Sequence, residues 1–186
     1  EEVAARVAAT IRADVRATAA YPVPKTRGFI ELHANENPWP LPPQLRGEIA
    51  AVAAEAPVHR YPDGAAEAVK AALARALPIP AGAAICVGSG SDELIQIVTT
   101  AVAKPGAAML APEPTFVMYR ITSLGHGALP VEVPLDEAYD LDLTAARGVL
   151  AEVKPNLAFI ATPNNPTGNL MDRARLEALI EADPGC

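Results

Sequence analysis

Cysteine is scarce in this chain. Cys86 and Cys186 are the only two in 186 residues, which is no disulfide framework and fits a reducing, cytoplasmic setting. Histidine is scarce too, with three in the chain. His33, His59 and His126 have no ligand spacing with one another or with the cysteines, so they read as surface or loop residues. Positive charge is also short, with 15 Lys and Arg against 22 Asp and Glu, a net charge of −7. No basic stripe is left for nucleic acid or an anionic membrane, and any bound anion must be held locally by backbone amides or single side chains. No apolar run reaches the roughly 18 residues of a membrane span. The acidic, amphipathic N-terminus does not read as a signal peptide.

What is present suits a packed globular protein. Half of the residues are hydrophobic and alanine dominates. Val3, Val7, Ile11 and Val15 lie four apart, one stripe of a helix. From Tyr21 to Pro43 prolines set an extended arm. A short helix is predicted over 44–55, then the loop "PVHRYPDG", then a helix from Ala65 to Leu77 with Asp63 as a candidate cap. After that the pattern alternates. "AAICVG", "KPGAAMLAPEP", "LPVEVPL" and "NLAFIA" read as strands. "SDELIQIVTTAVA", "FVMYRITSLG", "LTAARGVLAEV" and "MDRARLEALIEA" read as the helices between and after them. Such alternation predicts an α/β fold, a mostly parallel sheet with helices on both faces. The pattern stops at "EADPGC", where another strand is due. The expectation is therefore an N-terminal arm over 1–43 and an incomplete large domain over 44–186.

Four segments carry candidate chemistry. "CVGSGSDELI" is a strand, a Gly/Ser turn and a helix start, where the amides of Ser91, Asp92 and Glu93 would face outward with the positive end of the helix dipole. It lacks the third glycine of G-x-G-x-x-G, Glu93 standing there, and lacks the G-K-[ST] of a P-loop. By itself it suits a helix cap as well as a phosphate cradle. Phe116 in "EPTFVMY" follows a strand, where a ring could cover a planar cofactor or fill the core. Tyr61 in "RYPD" holds a hydroxyl on a stiff loop, a place where tyrosines also simply pack. "ATPNNPTGNL" fixes amides at the mouth of a strand, the usual ligand edge of a parallel sheet. Trp39, beside "NENP", reads as a packing anchor.

Taken together these segments resemble the pyridoxal-phosphate (PLP) aminotransferases of fold type I, and within them the histidinol-phosphate branch. "ANENP" at 34–38 is similar to that branch's "NENP", and "RYPD" at 60–63 is present unchanged. "GSGSDE" at 88–93 is similar to its "GxGSDE", "EPTFVMY" at 113–119 to its "PPTYxMY", and "PNNPTG" at 163–168 stands intact. The resemblance covers nearly the whole chain, in order. Two departures stand out: phenylalanine replaces tyrosine at 116, and "YPVP" at 21–24 replaces "YxPG".

The resemblance implies a PLP large domain of the seven-stranded type, here truncated, behind a small-domain arm. It implies a homodimeric, cytoplasmic transaminase of histidine biosynthesis that moves an amino group between L-histidinol phosphate and 2-oxoglutarate. Asn165 would donate to the phenolate O3′ of PLP, Ser91, Asp92 and Glu93 would hold its phosphate, and Phe116 would stack on its ring. Tyr61 would reach the phosphate of the neighbouring subunit's site, and Tyr21 and Asn35 would help hold substrate. The lysine that binds the cofactor covalently, the aspartate at its ring nitrogen and the substrate arginines would lie beyond residue 186. An aromatic-amino-acid aminotransferase of the same fold and a non-catalytic PLP-binding regulator are the alternatives.

Overall fold

The protein is described by a computed structural model over residues 2–18, 27–30, 32 and 35–182. Tyr21, His33, Ala34 and Cys186 fall outside the described residues. The chain divides into two compact units, Glu1–Ala19 with Cys86–Cys186, and Ala20–Ile85.

The first unit begins with α1 (Glu2–Thr10) and α2 (Ala13–Ala17). One continuous helix is predicted there, and the structure breaks it at Arg12, whose ψ of 141° is extended. The break has a cause in charge. The Arg12 guanidinium donates to the carbonyls of Leu124 at 2.8 Å and Gly125 at 3.1 Å, and Asp14 pairs with it at 2.5 Å. Those carbonyls end a helix, the negative pole where a cation is favoured.

The second unit holds α3 (Pro43–Glu55) and α4 (Glu67–Ala76). Pro43 opens α3, where its missing N–H costs nothing. Asp63 holds the start of α4, its carboxylate accepting the amides of Ala65 and Glu67 at 3.0 Å each. Neither helix has a buried residue.

The body of the first unit follows as α5 (Gly90–Val102), β1 (Ala108–Glu113), α6 (Met118–Gly125), β2 (Leu129–Pro134), α7 (Leu143–Val153), β3 (Leu157–Ala158) and α8 (Arg173–Ala182). Among the described residues the sheet has three strands in the order β2-β1-β3, all parallel. Leu110 pairs with Val131 on one side and Ala158 on the other, so β1 is central. Its residues 108–111 are all buried, as a doubly covered parallel strand requires. Successive residues serve opposite faces. Leu110 joins Val133, Leu141, Ala146, Leu150, Met171 and Leu179 in one core, while Met109 joins Ala107 and Ala128 in the other.

Two strand expectations need correction. "NLAFIA" gives only Leu157–Ala158, flanked by the amides of Asn156 and Phe159 bonding the carbonyls of Ala108 and Leu110. The rung after Leu110 on that side falls to Pro112, which has no N–H to donate, so the ladder stops. "AAICVG" forms no strand, and Cys86 is exposed. Both edges of β1 are taken by β2 and β3, and no described segment pairs with 83–88. The last helix starts at Arg173, and Asp172 accepts the amide of Arg175 at 3.0 Å in the manner of a cap. Among the described residues no helix is long and apolar enough to cross a membrane.

Candidate functional site

The turn after β3 is organised by Asn164, a residue with no separate role in the sequence reading. It is 3% exposed. Its carboxamide nitrogen donates to the carbonyl of Pro114 at 2.9 Å and to Thr167 Oγ1 at 2.8 Å, and its oxygen accepts from Thr115 Oγ1 at 2.9 Å. Its backbone closes the turn, N–H to the carbonyl of Asn169 at 2.9 Å and carbonyl from the amide of Gly168 at 2.8 Å. Gly168 has φ +76°, which an L side chain would resist. Asn169 ties the turn outward through Nδ2 to the carbonyl of Tyr139 at 2.7 Å. Asn165, the neighbour, is exposed. Among the described residues the turn thus spends the carboxamides of Asn164 and Asn169 on its own architecture and leaves Asn165 exposed.

The loop leaving β1 is the other half of this assembly. Glu113 accepts the amide of Thr115 at 3.0 Å, and burial pushes its carboxyl above the usual range. Phe116 is half-buried and meets Tyr119 edge-on, ring centres 5.8 Å apart. Tyr119 in turn stacks flat on Phe159 at 4.7 Å, and burial raises its phenol. Phe116 is therefore neither sunk in the core nor loose; it is the outer member of an aromatic trio.

At the start of α5 neither Ser91 nor Asp92 makes a side-chain cap. Glu93 does the capping, its carboxylate accepting the amide of Ser89. Among the described residues the amides of Ser91 and Asp92 have no acceptor outside the helix, and Ser91, Asp92 and Glu93 are all exposed. Gly90 has φ +84°, and a Cβ built there would meet no atom within 4 Å.

The structure brings the Phe116 loop and the Asn165 turn together through Asn164. No described hydrogen bond joins Ser91, Asp92 or Glu93 to that network. In the other unit Tyr61 is fully exposed, so it does not pack as a loop tyrosine commonly does. Asn35 is exposed with φ 53°, a left-handed conformation that asparagine tolerates. Trp39 is 78% exposed, which overturns its reading as a packing anchor within this chain. His126 is more than a loop residue: its ring bridges Thr100 Oγ1 at 2.8 Å and the carbonyl of Thr122 at 2.9 Å. No group of three or more His, Cys, Asp or Glu could hold a metal among the described residues.

Asn164, Thr115 and Tyr119 were missed by sequence reasoning. The doubled asparagine of "PNNPTG" was the available signal, because a proline-flanked turn needs one side chain to satisfy its own backbone.

The chain is similar to known proteins. A family model for aminotransferase class I and II matches residues 27–183. Histidinol-phosphate aminotransferase 2 of Cupriavidus pinatubonensis is 45% identical over 94% of this chain and 48% of its own length. Histidinol-phosphate aminotransferase of Chromobacterium violaceum is 46% identical over 94% of this chain and 49% of its own. Among solved structures, the histidinol-phosphate aminotransferase of Sinorhizobium meliloti in complex with pyridoxal-5'-phosphate superposes with a TM-score of 0.69 at 26% identity, over 81% of this chain and 40% of that one. The chain spans about half the length of the curated relatives it matches. With the match covering most of its residues, the chain belongs to the aminotransferase class I and II family.

Proposed function

We propose that this chain is part of a PLP-dependent aminotransferase that moves an amino group between L-histidinol phosphate and 2-oxoglutarate in the cytoplasm. The observation that carries the reading is the identity to curated histidinol-phosphate aminotransferases, which runs through nearly the whole chain. Residues 1–43 serve as the arm and dimer contact, and 44–186 as the N-terminal part of the large domain. The working unit is a homodimer.

The residues present fit PLP. A phosphate needs fixed donors, and the start of α5 offers two amides with no acceptor among the described residues, beside a glycine turn open to close approach. That turn already takes one anionic oxygen, from Glu93, at the amide of Ser89. A planar ring needs a flat apolar surface and a directed donor, which Phe116 and the exposed carboxamide of Asn165 supply. PLP, when bound, supplies the electron sink for the transfer. The helix-start amides of Ser91, Asp92 and Glu93 would hold its phosphate, Phe116 would cover its ring, and Asn165 would donate to its phenolate oxygen. The full exposure of Tyr61 leaves its hydroxyl free to reach the phosphate in the second subunit's site. Tyr21 and Asn35 on the arm help hold the substrate. The lysine that bonds the cofactor is expected beyond residue 186.

Incubating the full-length protein with L-histidinol phosphate and 2-oxoglutarate tests this. Stoichiometric glutamate, dependent on added PLP, is the expected outcome. Tight PLP binding without glutamate from any amino donor would favour a regulatory PLP-binding protein instead.

A further inference from the structure

Phe116 and Asn165 sit on different loops, and both loops are fastened to one side chain. The Pro114 carbonyl and the Thr115 hydroxyl that bond Asn164 immediately precede Phe116, and Asn164 immediately precedes Asn165. The carboxamide has one workable orientation. Its oxygen accepts from Thr115 while its two N–H groups go to Pro114 and Thr167; rotation by a half turn would set its oxygen against the Pro114 carbonyl. Thr115 is itself held by Glu113 through its amide. Every polar group of Asn164 is used, and the side chain is out of water, where such bonds are least free to rearrange.

We propose that Thr115 and Asn164 form a positioning pair that fixes the ring of Phe116 relative to the carboxamide of Asn165, and thereby sets how firmly and in what electronic state the cofactor ring is held. The proposal rests on the reading above that Phe116 and Asn165 contact that ring. A staple that served folding alone would change stability and leave the bound cofactor unaltered. A positioning pair changes the cofactor even where the protein stays folded.

The test uses the full-length holoenzyme and three variants: Thr115→Val, which removes the hydroxyl at constant shape, Thr115→Ser, which keeps it, and Asn165→Ala. Each is measured for PLP dissociation constant, for the pH midpoint of the bound cofactor's visible absorption, and for thermal stability without cofactor. Thr115→Val is expected to weaken PLP by up to about 10-fold, the worth of one neutral hydrogen bond, and to move the absorption midpoint. Thr115→Ser is expected to restore both to within about twofold of wild type, the hydroxyl being the group that matters. If Asn165→Ala moves the midpoint but Thr115→Val does not, the positioning role is wrong and the cofactor reading stands. Equal defects in the Val and Ser variants would also overturn it. An unshifted Asn165→Ala removes the contact on which the proposal rests and overturns both.

Discussion

Asn164 and Asn165 share a residue type and differ in everything around them. Asn164 is buried with its carboxamide fully bonded, and Asn165 is exposed. Substitutions at the two should therefore separate stability from binding. Asn164→Asp sets a carboxylate against the Pro114 carbonyl and should cost at least about 2 kcal/mol in denaturant unfolding of the full-length protein. Asn165→Ala should stay within about 0.5 kcal/mol of wild type in that measurement and lose PLP affinity instead. Equal stability losses at both positions would mean that the turn is one structural block. The sequence made the turn legible through its prolines and glycine, and Asn165 through the resemblance. Which asparagine is buried was not legible, because it depends on Thr115 and Pro114 arriving from a segment distant in sequence.

At the scale of elements, local signals were readable and pairing was not. The helix over "LTAARGVLAEV" has the bounds its periodicity predicts, closed at its start by Asp142, which accepts the amides of Thr144 and Ala145 at 3.0 Å. Strand expectations over 83–88 and 156–161 failed or shrank because a strand needs a donor row opposite it, and Pro112 interrupts the one beside β3. The connection between β2 and α7 shows how a loop is pinned without a strand. Arg175 of α8 donates to Asp136 at 2.5 Å and to the carbonyl of Leu141 at 2.8 Å. The Arg175 guanidinium, with the amides of Asp140 and Ala138, holds the Asp136 carboxyl below its usual range. A depressed carboxyl contributes stability that is present above its unfolded value, about 3.9, and is lost as pH falls through the lower folded value. The melting-temperature gap between wild type and Asp136→Asn should thus be open near pH 6 and close as pH drops below about 4. Because the pair is partly exposed, added salt should narrow the gap at pH 6. A gap unchanged from pH 6 to pH 3 would show that Asp136 acts by shape and not by charge.

Across the molecule, burial is uneven. No described residue of 27–85 is buried, although α3 and α4 are well-formed helices. Helices of 13 and 10 residues are marginal in water without packing. Hydrogen exchange on this 186-residue chain alone should show fast exchange over 43–76 and protection centred on β1. The same amides should slow in the full-length protein, where the proposed dimer would cover them. Protection of 43–76 equal to that of β1 in the isolated chain would contradict that uneven stability. The cross-subunit role proposed for Tyr61 is testable at this scale too. Mixed dimers of a Tyr61→Phe subunit and a subunit lacking the cofactor-binding lysine should regain one intact site, whereas neither parent has one. No recovery over either parent would confine Tyr61 to its own subunit.

The proposed substrate is L-histidinol phosphate, and the segments proposed to hold the cofactor do not decide it. A site built for a phosphate-bearing donor rejects a phosphate-free analogue because its own donors are left unpaired, a penalty that can reach about 10⁴-fold. The direct measurement is kcat/KM of the full-length enzyme for L-histidinol phosphate and for phenylalanine, each with 2-oxoglutarate as acceptor. The expected preference is at least about 100-fold for L-histidinol phosphate. Comparable turnover of phenylalanine would contradict it and reassign the protein to the aromatic aminotransferases.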